Sequence, residues 1–115
     1  HELHELAKSY RVIGIDEAQF IDNEIIEVVN KLANQGHRII IAGLDKDYAS
    51  RPFGAMPALI AQAEFVTKLH AICEVCGQIA SFTYRSNADN DLVSLGAKDK
   101  YQARCRQHYY ENKIK

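Results

Sequence analysis

No run of apolar residues in this sequence approaches eighteen, so no segment is long enough to span a bilayer as a helix. An excess of charge of one sign is also missing. Fourteen Lys and Arg against fifteen Asp and Glu leave a formal net charge of −1, which gives no electrostatic footprint for nucleic acid or a membrane surface. Cysteine is scarce and odd in number. Three cysteines do not make a secreted disulfide framework; they point to a reducing compartment, with the cytoplasm as the default. The opening His1-Glu2-Leu3-His4 lacks the basic-then-apolar layout of a signal peptide. It also lacks an initiator Met, which suggests a chain that begins inside a longer protein. There is no internal repeat and no low-complexity tract. What remains is ordinary for a globular protein: 115 residues, 47% hydrophobic and 25% charged, the size of one domain or of one domain with a small appendage.

Hydrophobic patterning divides the chain. Leu3 to Ser9 reads as the tail of a helix. Arg11 to Asp16 is a short apolar run ending in acid, the pattern of a buried parallel strand. Asp22 can cap a helix over about Asn23 to Asn34, where Ile25, Ile26, Val28, Val29, Leu32 and Ala33 recur at helical spacing and Gly36 supplies the stop. Arg38 to Leu44 is a second buried-strand run. Strand, helix and strand within about 35 residues make a βαβ unit with parallel strands. A turn-rich loop follows from Asp45 to Gly54, then a short helix over Met56 to Ala63 with Pro57 in its first turn. Phe65 to Ile72 alternates as a third strand would. From Cys73 the character changes to short strands and small residues, with no helical period until about Tyr101, which places a boundary near Ile72. Asn87 to Asp91 reads as a polar, mobile loop.

Cys73 and Cys76 are separated by two residues, and so are Cys105 and His108. That spacing, used twice, is the spacing of a zinc knuckle, in which a tight turn points two ligands at one ion. Three thiolates and one imidazole complete a closed tetrahedral shell of the structural type, and thiolates favour zinc over magnesium or manganese. A single CxxC could equally be a redox pair or contain a free buried cysteine; the second pair, which uses the last cysteine, favours the metal. His70 could stand in for His108 as the fourth ligand, although it falls in the third strand run and reads as a packed residue. His1, His4 and His37 read as surface histidines. The ion would clip a module with little core of its own.

Asp16 and Glu17 stand where the first strand run ends, and the ligand crevice of open α/β sheets lies at the carboxyl ends of strands. An acid there can hold Mg²⁺ in phosphoryl transfer, and a second can accept the proton of an attacking hydroxyl. The string Gly14-Ile15-Asp16-Glu17-Ala18-Gln19-Phe20 resembles the acidic motif of the zinc-containing, tetrameric thymidine kinase family. Gly43-Leu44-Asp45-Lys46-Asp47-Tyr48 and Pro52-Phe53-Gly54 resemble that family's next segment. Thr83-Tyr84-Arg85 and Lys100-Tyr101, set among the knuckles, occupy its remaining landmarks, so the likeness runs from about Val12 to His108.

The resemblance implies a fold, an activity and a set of roles. The expected fold is α/β: a partial parallel-sheet core like that of P-loop kinases over residues 1–72, with a zinc-clipped, β-rich lasso module over residues 73–115. The expected activity is ATP-dependent phosphorylation of thymidine to thymidine monophosphate in nucleoside salvage, by a homotetramer using ATP with Mg²⁺ and a structural Zn²⁺. Glu17 matches the general base and Asp16 the acid near Mg²⁺. Phe20, Leu44, Tyr48 and Thr83 match positions lining the thymine pocket, with Tyr48 where many relatives carry Phe. The stretch from Leu92 through Val93, Ser94, Leu95 and Gly96 to Tyr101 matches the loop that closes over the nucleoside. Leu95-Gly96-Ala97 stands where many members have a Gly-Gly pair. Arg85 either faces phosphate or is simply solvated. The family's glycine-rich phosphate loop with its lysine has no counterpart in these residues. By itself the chain is therefore expected not to transfer phosphate. A zinc-stabilised binding module without catalysis is the alternative reading, and the paired carboxylates argue against it.

Overall fold

The computed structural model describes residues 2–85 and 101–114. The chain divides into two units, one of His1–Asp45 with Pro52–Val66 and one of Lys46–Arg51 with Thr67–Lys115.

The first unit is built on the expected βαβ unit. Strand β1 (Val12–Ile15) pairs in parallel with β2 (Arg38–Ile41), in a register running from Val12 opposite Arg38 to Ile15 opposite Ile41. Helix α1 (Glu2–Ala7) precedes them, α2 (Glu24–Asn34) joins them, and α3 (Met56–Gln62) follows. Asp22 caps α2 as expected: its Oδ1 accepts the Glu24 N–H at 3.0 Å. Glu24 and Glu27 in the first turn complement the helix dipole. On α2 the residues Ile25, Val28, Val29 and Leu32 are all buried, the i, i+3, i+4, i+7 stripe of an amphipathic helix. They meet Ile13 and Ile15 of β1, Ala7 of α1 and Met56 and Leu59 of α3 in one apolar core. Each fully buried side chain of this size contributes roughly 1.5–3 kcal/mol against leaving it in water.

The sheet departs from the expectation in one respect. Both strands were expected to be buried, yet burial alternates along β1, and Val12 is 58% and Ile40 53% exposed. Among the described residues, the helices pack on the face that carries Ile13 and Ile15.

The second unit holds two antiparallel ribbons and a helix: β3 (Ala71–Ile72) with β4 (Ile79–Ala80), β5 (Phe82–Arg85) with β6 (Tyr101–Arg104), and α4 (Arg106–Ile114). The third strand expected over Phe65 to Ile72 shrinks to two residues. Phe65 and Leu69 are 94% and 84% exposed, because an alternating pattern makes a strand only where a partner accepts its hydrogen bonds. The helical period expected from about Tyr101 begins at Arg106 instead, since Tyr101 to Arg104 are held by β5. Among the described residues, the buried apolar side chains of this unit are only Cys73, Ala80, Phe82 and Tyr109. Tyr109 stacks on Phe82 with ring centroids 4.8 Å apart, and Tyr110 meets both rings edge-on.

Three histidine expectations change: His37 is half-buried, with Nδ1 against the Tyr10 carbonyl, and His4 and His70 differ as well. His4 is half-buried, with Nε2 shut from solvent and no hydrogen-bond partner among the described residues. His70 is exposed and not packed in a strand; its Nδ1 lies 2.9 Å from the Ser81 hydroxyl.

Candidate active site and metal centre

In the first unit the chain leaves β1 at Asp16 and turns at once. Asp16 Oδ1 accepts the Glu17 N–H at 2.8 Å, and Glu17 sits in the left-handed region at φ 54°. For a residue with a Cβ that conformation costs on the order of 1–2 kcal/mol. The chain then forms a short 3₁₀ turn over Ala18–Phe20, tied to the second strand by Ala18 N–H donating to Ala42 O at 3.1 Å. Both carboxylates are thereby exposed at the carboxyl end of β1. Gln19, between them and Phe20, is buried. Its Nε2 donates to Glu17 Oε1 at 2.9 Å and its Oε1 accepts the Leu44 N–H at 3.0 Å. Phe20 meets Phe53 edge-on at 5.4 Å, and both Phe20 and Leu44 leave more than half of their surface open. Asp16, Glu17, Phe20 and Leu44 are thus all at the carboxyl ends of the two parallel strands.

In the second unit, Tyr48 lies on the turn from Lys46 to Arg51, and its carbonyl accepts the Tyr109 hydroxyl at 2.5 Å. Asp47 orders that turn. Its Oδ1 accepts the N–H groups of Ala49 and Arg51, each at 2.9 Å. The Arg51 N–H is the main reason its carboxyl titrates below the ordinary 3.8; partial desolvation opposes this, and the Ala49 N–H and the Arg51 charge add to the lowering. Asp47→Ala is expected to destabilise this unit by about 1–2 kcal/mol, the net worth of such bonds, read from urea denaturation. The contribution of Asp47 is complete above pH 3.8 and is lost as pH falls through the lower folded value, so wild type and variant should converge in stability in acid.

The Arg85 guanidinium lies 4.8 Å from the Tyr48 ring centroid and 5.8 Å from that of Tyr101. Arg85 is half-buried, with Nε shut from solvent, so it is not the freely solvated arginine of one sequence reading. Thr83 precedes it by two on β5 and therefore shares its face. Tyr48, Arg85 and Tyr101 are brought together. Leu92, Val93, Ser94, Leu95 and Gly96 lie outside the described residues.

The two knuckles do converge. One ligand atom each from Cys73, Cys76, Cys105 and His108 lies within 4.8 Å of all the others. Cys76 Sγ is 3.8 Å from Cys105 Sγ, and His108 Nδ1 is 3.2 Å from Cys105 Sγ and 3.9 Å from Cys73 Sγ. A tetrahedral shell with metal–sulfur bonds near 2.3 Å has edges of about 3.8 Å, so the spacing fits one zinc ion. His108, not His70, is the imidazole of the set. Its other ring nitrogen faces Glu111 Oε1 at 4.0 Å, in the place where zinc-bound histidines keep a carboxylate. Burial pushes the Cys73 thiol up, but N–H groups of Cys105, Cys76 and Val75 and the Cys76 side chain outweigh it and bring it down to about 6. At Cys76 the Gln78 N–H favours the thiolate, yet desolvation and the neighbouring sulfurs of Cys73 and Cys105 push its thiol up. One sulfur that favours the anion beside a second that resists it is a pairing that the charge of a bound cation would relieve.

Taken on its chemistry, the molecule is an α/β protein with paired carboxylates at a strand end and a Cys₃His module of the structural-zinc type. A family model described as thymidine kinase matches residues 1–109. The thymidine kinase of Rhodothermus sp. (strain ITI 518) is 52% identical over 102 residues, 89% of this chain and 48% of that protein. That of Bacteroides fragilis is 54% identical over 98 residues, covering 85% and 49%. That of Mycoplasma genitalium is 48% identical over 109 residues, covering 92% and 51%. The chain belongs to the thymidine kinase family, and it spans about half the length of the curated relatives it matches.

Sequence reasoning gave no role to Gln19, Asp47 or Tyr109. Their contacts join residues 25 and 61 positions apart for Gln19 and Tyr109, a separation that no local pattern encodes.

Proposed function

We propose that the intact protein transfers the γ-phosphoryl group of ATP to the 5′-hydroxyl of thymidine, giving thymidine monophosphate and ADP. The observation that carries this is the Asp16–Glu17 pair, presented at the carboxyl end of β1 in a chain of the thymidine kinase family. Glu17 accepts the 5′-hydroxyl proton as the oxygen attacks the γ-phosphorus, and the bond from that phosphorus to the ADP oxygen breaks. Asp16 is the residue to hold Mg²⁺, which when bound would neutralise phosphate charge. Phe20, Leu44, Tyr48 and Thr83 are assigned to thymine recognition residue by residue, from the family positions they match. Leu92, Val93, Ser94, Leu95 and Gly96 would contribute main-chain contacts to the base. Cys73, Cys76, Cys105 and His108 would hold one Zn²⁺, whose role with such a ligand set would be structural. Assembly as a homotetramer belongs to the same reading.

A binding module without chemistry would not need an exposed carboxylate on a left-handed backbone with one oxygen bonded by a buried amide, so the kinase is the better account. The test is direct. With ATP and Mg²⁺, the intact protein should form thymidine monophosphate and ADP in equal amounts, with no product from 5′-deoxythymidine. ATP consumption without nucleotide product would overturn the reading.

A further inference from the structure

Gln19 is the one polar residue fully withdrawn from solvent among the described residues, at 4% exposure. A buried amide is tolerated when both of its ends are satisfied. Here both ends go to the carboxyl termini of the two parallel strands: Nε2 to the Glu17 carboxylate after β1, and Oε1 to the Leu44 N–H after β2. The amide therefore spans the gap where the two strands let go of one another.

The space around it is kept open by two glycines. A Cβ on Gly43 would stand 2.9 Å from Gln19 Oε1 and 2.7 Å from Met56 Sδ. A Cβ on Gly54, whose φ is +54°, would stand 2.4 Å from the Gln19 carbonyl oxygen. The Gln19 backbone thus faces a position, Gly54, that admits no side chain, and its amide lies against Gly43, where a side chain would have to displace the ends of Gln19 and Met56. Glu17 is the opposite case. It is exposed, and three rotatable bonds would otherwise let its carboxylate wander. A donor fixed in the protein interior selects one orientation and occupies one oxygen, leaving the other to take a proton.

We propose that Gln19 is a positioning residue: it holds the Glu17 carboxylate in register with the strand end and couples that register to Leu44 on the adjoining strand. This rests on the reading of Glu17 as the base. A merely structural brace would use Gln19 for the turn and for Leu44 alone, and the two roles separate on substitution. Gln19→Glu keeps an acceptor for the Leu44 N–H but removes the donor and sets a second carboxylate beside Glu17. Two carboxylates at that distance share one proton, which occupies the base. Gln19→Leu removes both contacts.

In the full-length kinase, Gln19→Glu should lower kcat at least about tenfold while thymidine Kd stays within about threefold, the signature of an interaction used in the transition state. The Leu44 amide should remain slow to exchange in Gln19→Glu and become fast in Gln19→Leu. The double-mutant cycle isolates the coupling. In Glu17→Gln/Gln19→Glu the hydrogen bond is reversed and kept, so kcat should match that of Glu17→Gln alone within about threefold. Should Gln19→Glu fail to fold, Gln19→Asn retains a buried amide that reaches only one of the two partners, and its kcat should fall with Kd preserved.

Near-normal kcat in Gln19→Glu (or in Gln19→Asn, where that variant is the one measured), or an equal loss in kcat and thymidine affinity, overturns the proposal. So does a further tenfold loss when Gln19→Glu is added to a slow Glu17→Gln. If Glu17→Gln alone is near normal, it is the base assignment that fails.

Discussion

In the intact kinase, Glu17→Gln is expected to lower kcat by roughly 10²–10⁴, the usual scale for losing a general base. Thymidine affinity should change little, because the amide keeps the shape of the carboxylate and loses only its charge and its ability to take a proton. The geometry supports a specific loss. Glu17 is exposed, its backbone is held by the Asp16 carboxylate and the tie from Ala18 to Ala42, and one carboxylate oxygen faces Gln19. Removing a negative charge from an exposed site leaves no buried ion unpaired, so stability should hold while turnover falls. Steady-state kinetics beside thermal melting decides the matter. A variant with near-normal kcat would remove Glu17 from the chemistry.

A comparably large effect is expected at the metal. Protein purified without added metal should carry close to one zinc per chain. The combined replacement Cys73→Ser and Cys105→Ser should carry none, since it takes one ligand from each knuckle. Structural zinc contributes folding free energy on the order of 10–16 kcal/mol in small finger peptides. Among its described residues, the second unit resembles them in having few buried apolar side chains: Cys73, itself a ligand, Ala80, Phe82 and Tyr109. Chelation should therefore leave residues 67–85 and 101–114 open to protease while β1, α2 and β2 stay protected by their separate core. Full zinc occupancy in the double variant, or equal protection of both units after chelation, would contradict this.

The parts of the fold that could be read in advance are those whose cause is local. The α2 stripe, its Asp22 cap and the two β-branched runs state a βαβ unit within one stretch of chain. Cysteine spacing states the metal centre because a knuckle is a turn with two ligands at fixed separation. What could not be read is what depends on coverage. A run such as Arg38-Ile39-Ile40-Ile41 says that both faces are apolar, not that both are covered, and Ile40 is in fact exposed. The alternation of Phe65 to Ile72 likewise lacked information about a partner strand. At the site, Asp16 and Glu17 were found through strand-end logic and family likeness. Gln19 stood inside the same motif with no role, because its meaning arises only when Leu44 is folded back beside it.

The pairing of Tyr109 with Phe82 has a practical consequence. The sequence contains no tryptophan, so near-ultraviolet signals come from its six tyrosines, with weaker bands from phenylalanine. Among the described tyrosines, Tyr109 alone is fully buried, at 1% exposure, and it directly follows the metal ligand His108. Its ring is stacked and its hydroxyl is tied to the Tyr48 carbonyl, an asymmetric setting of the kind that gives an aromatic ring a strong circular-dichroism band. The second unit thus carries its own optical reporter, one residue from the ion, and zinc loading can be followed through it without any label.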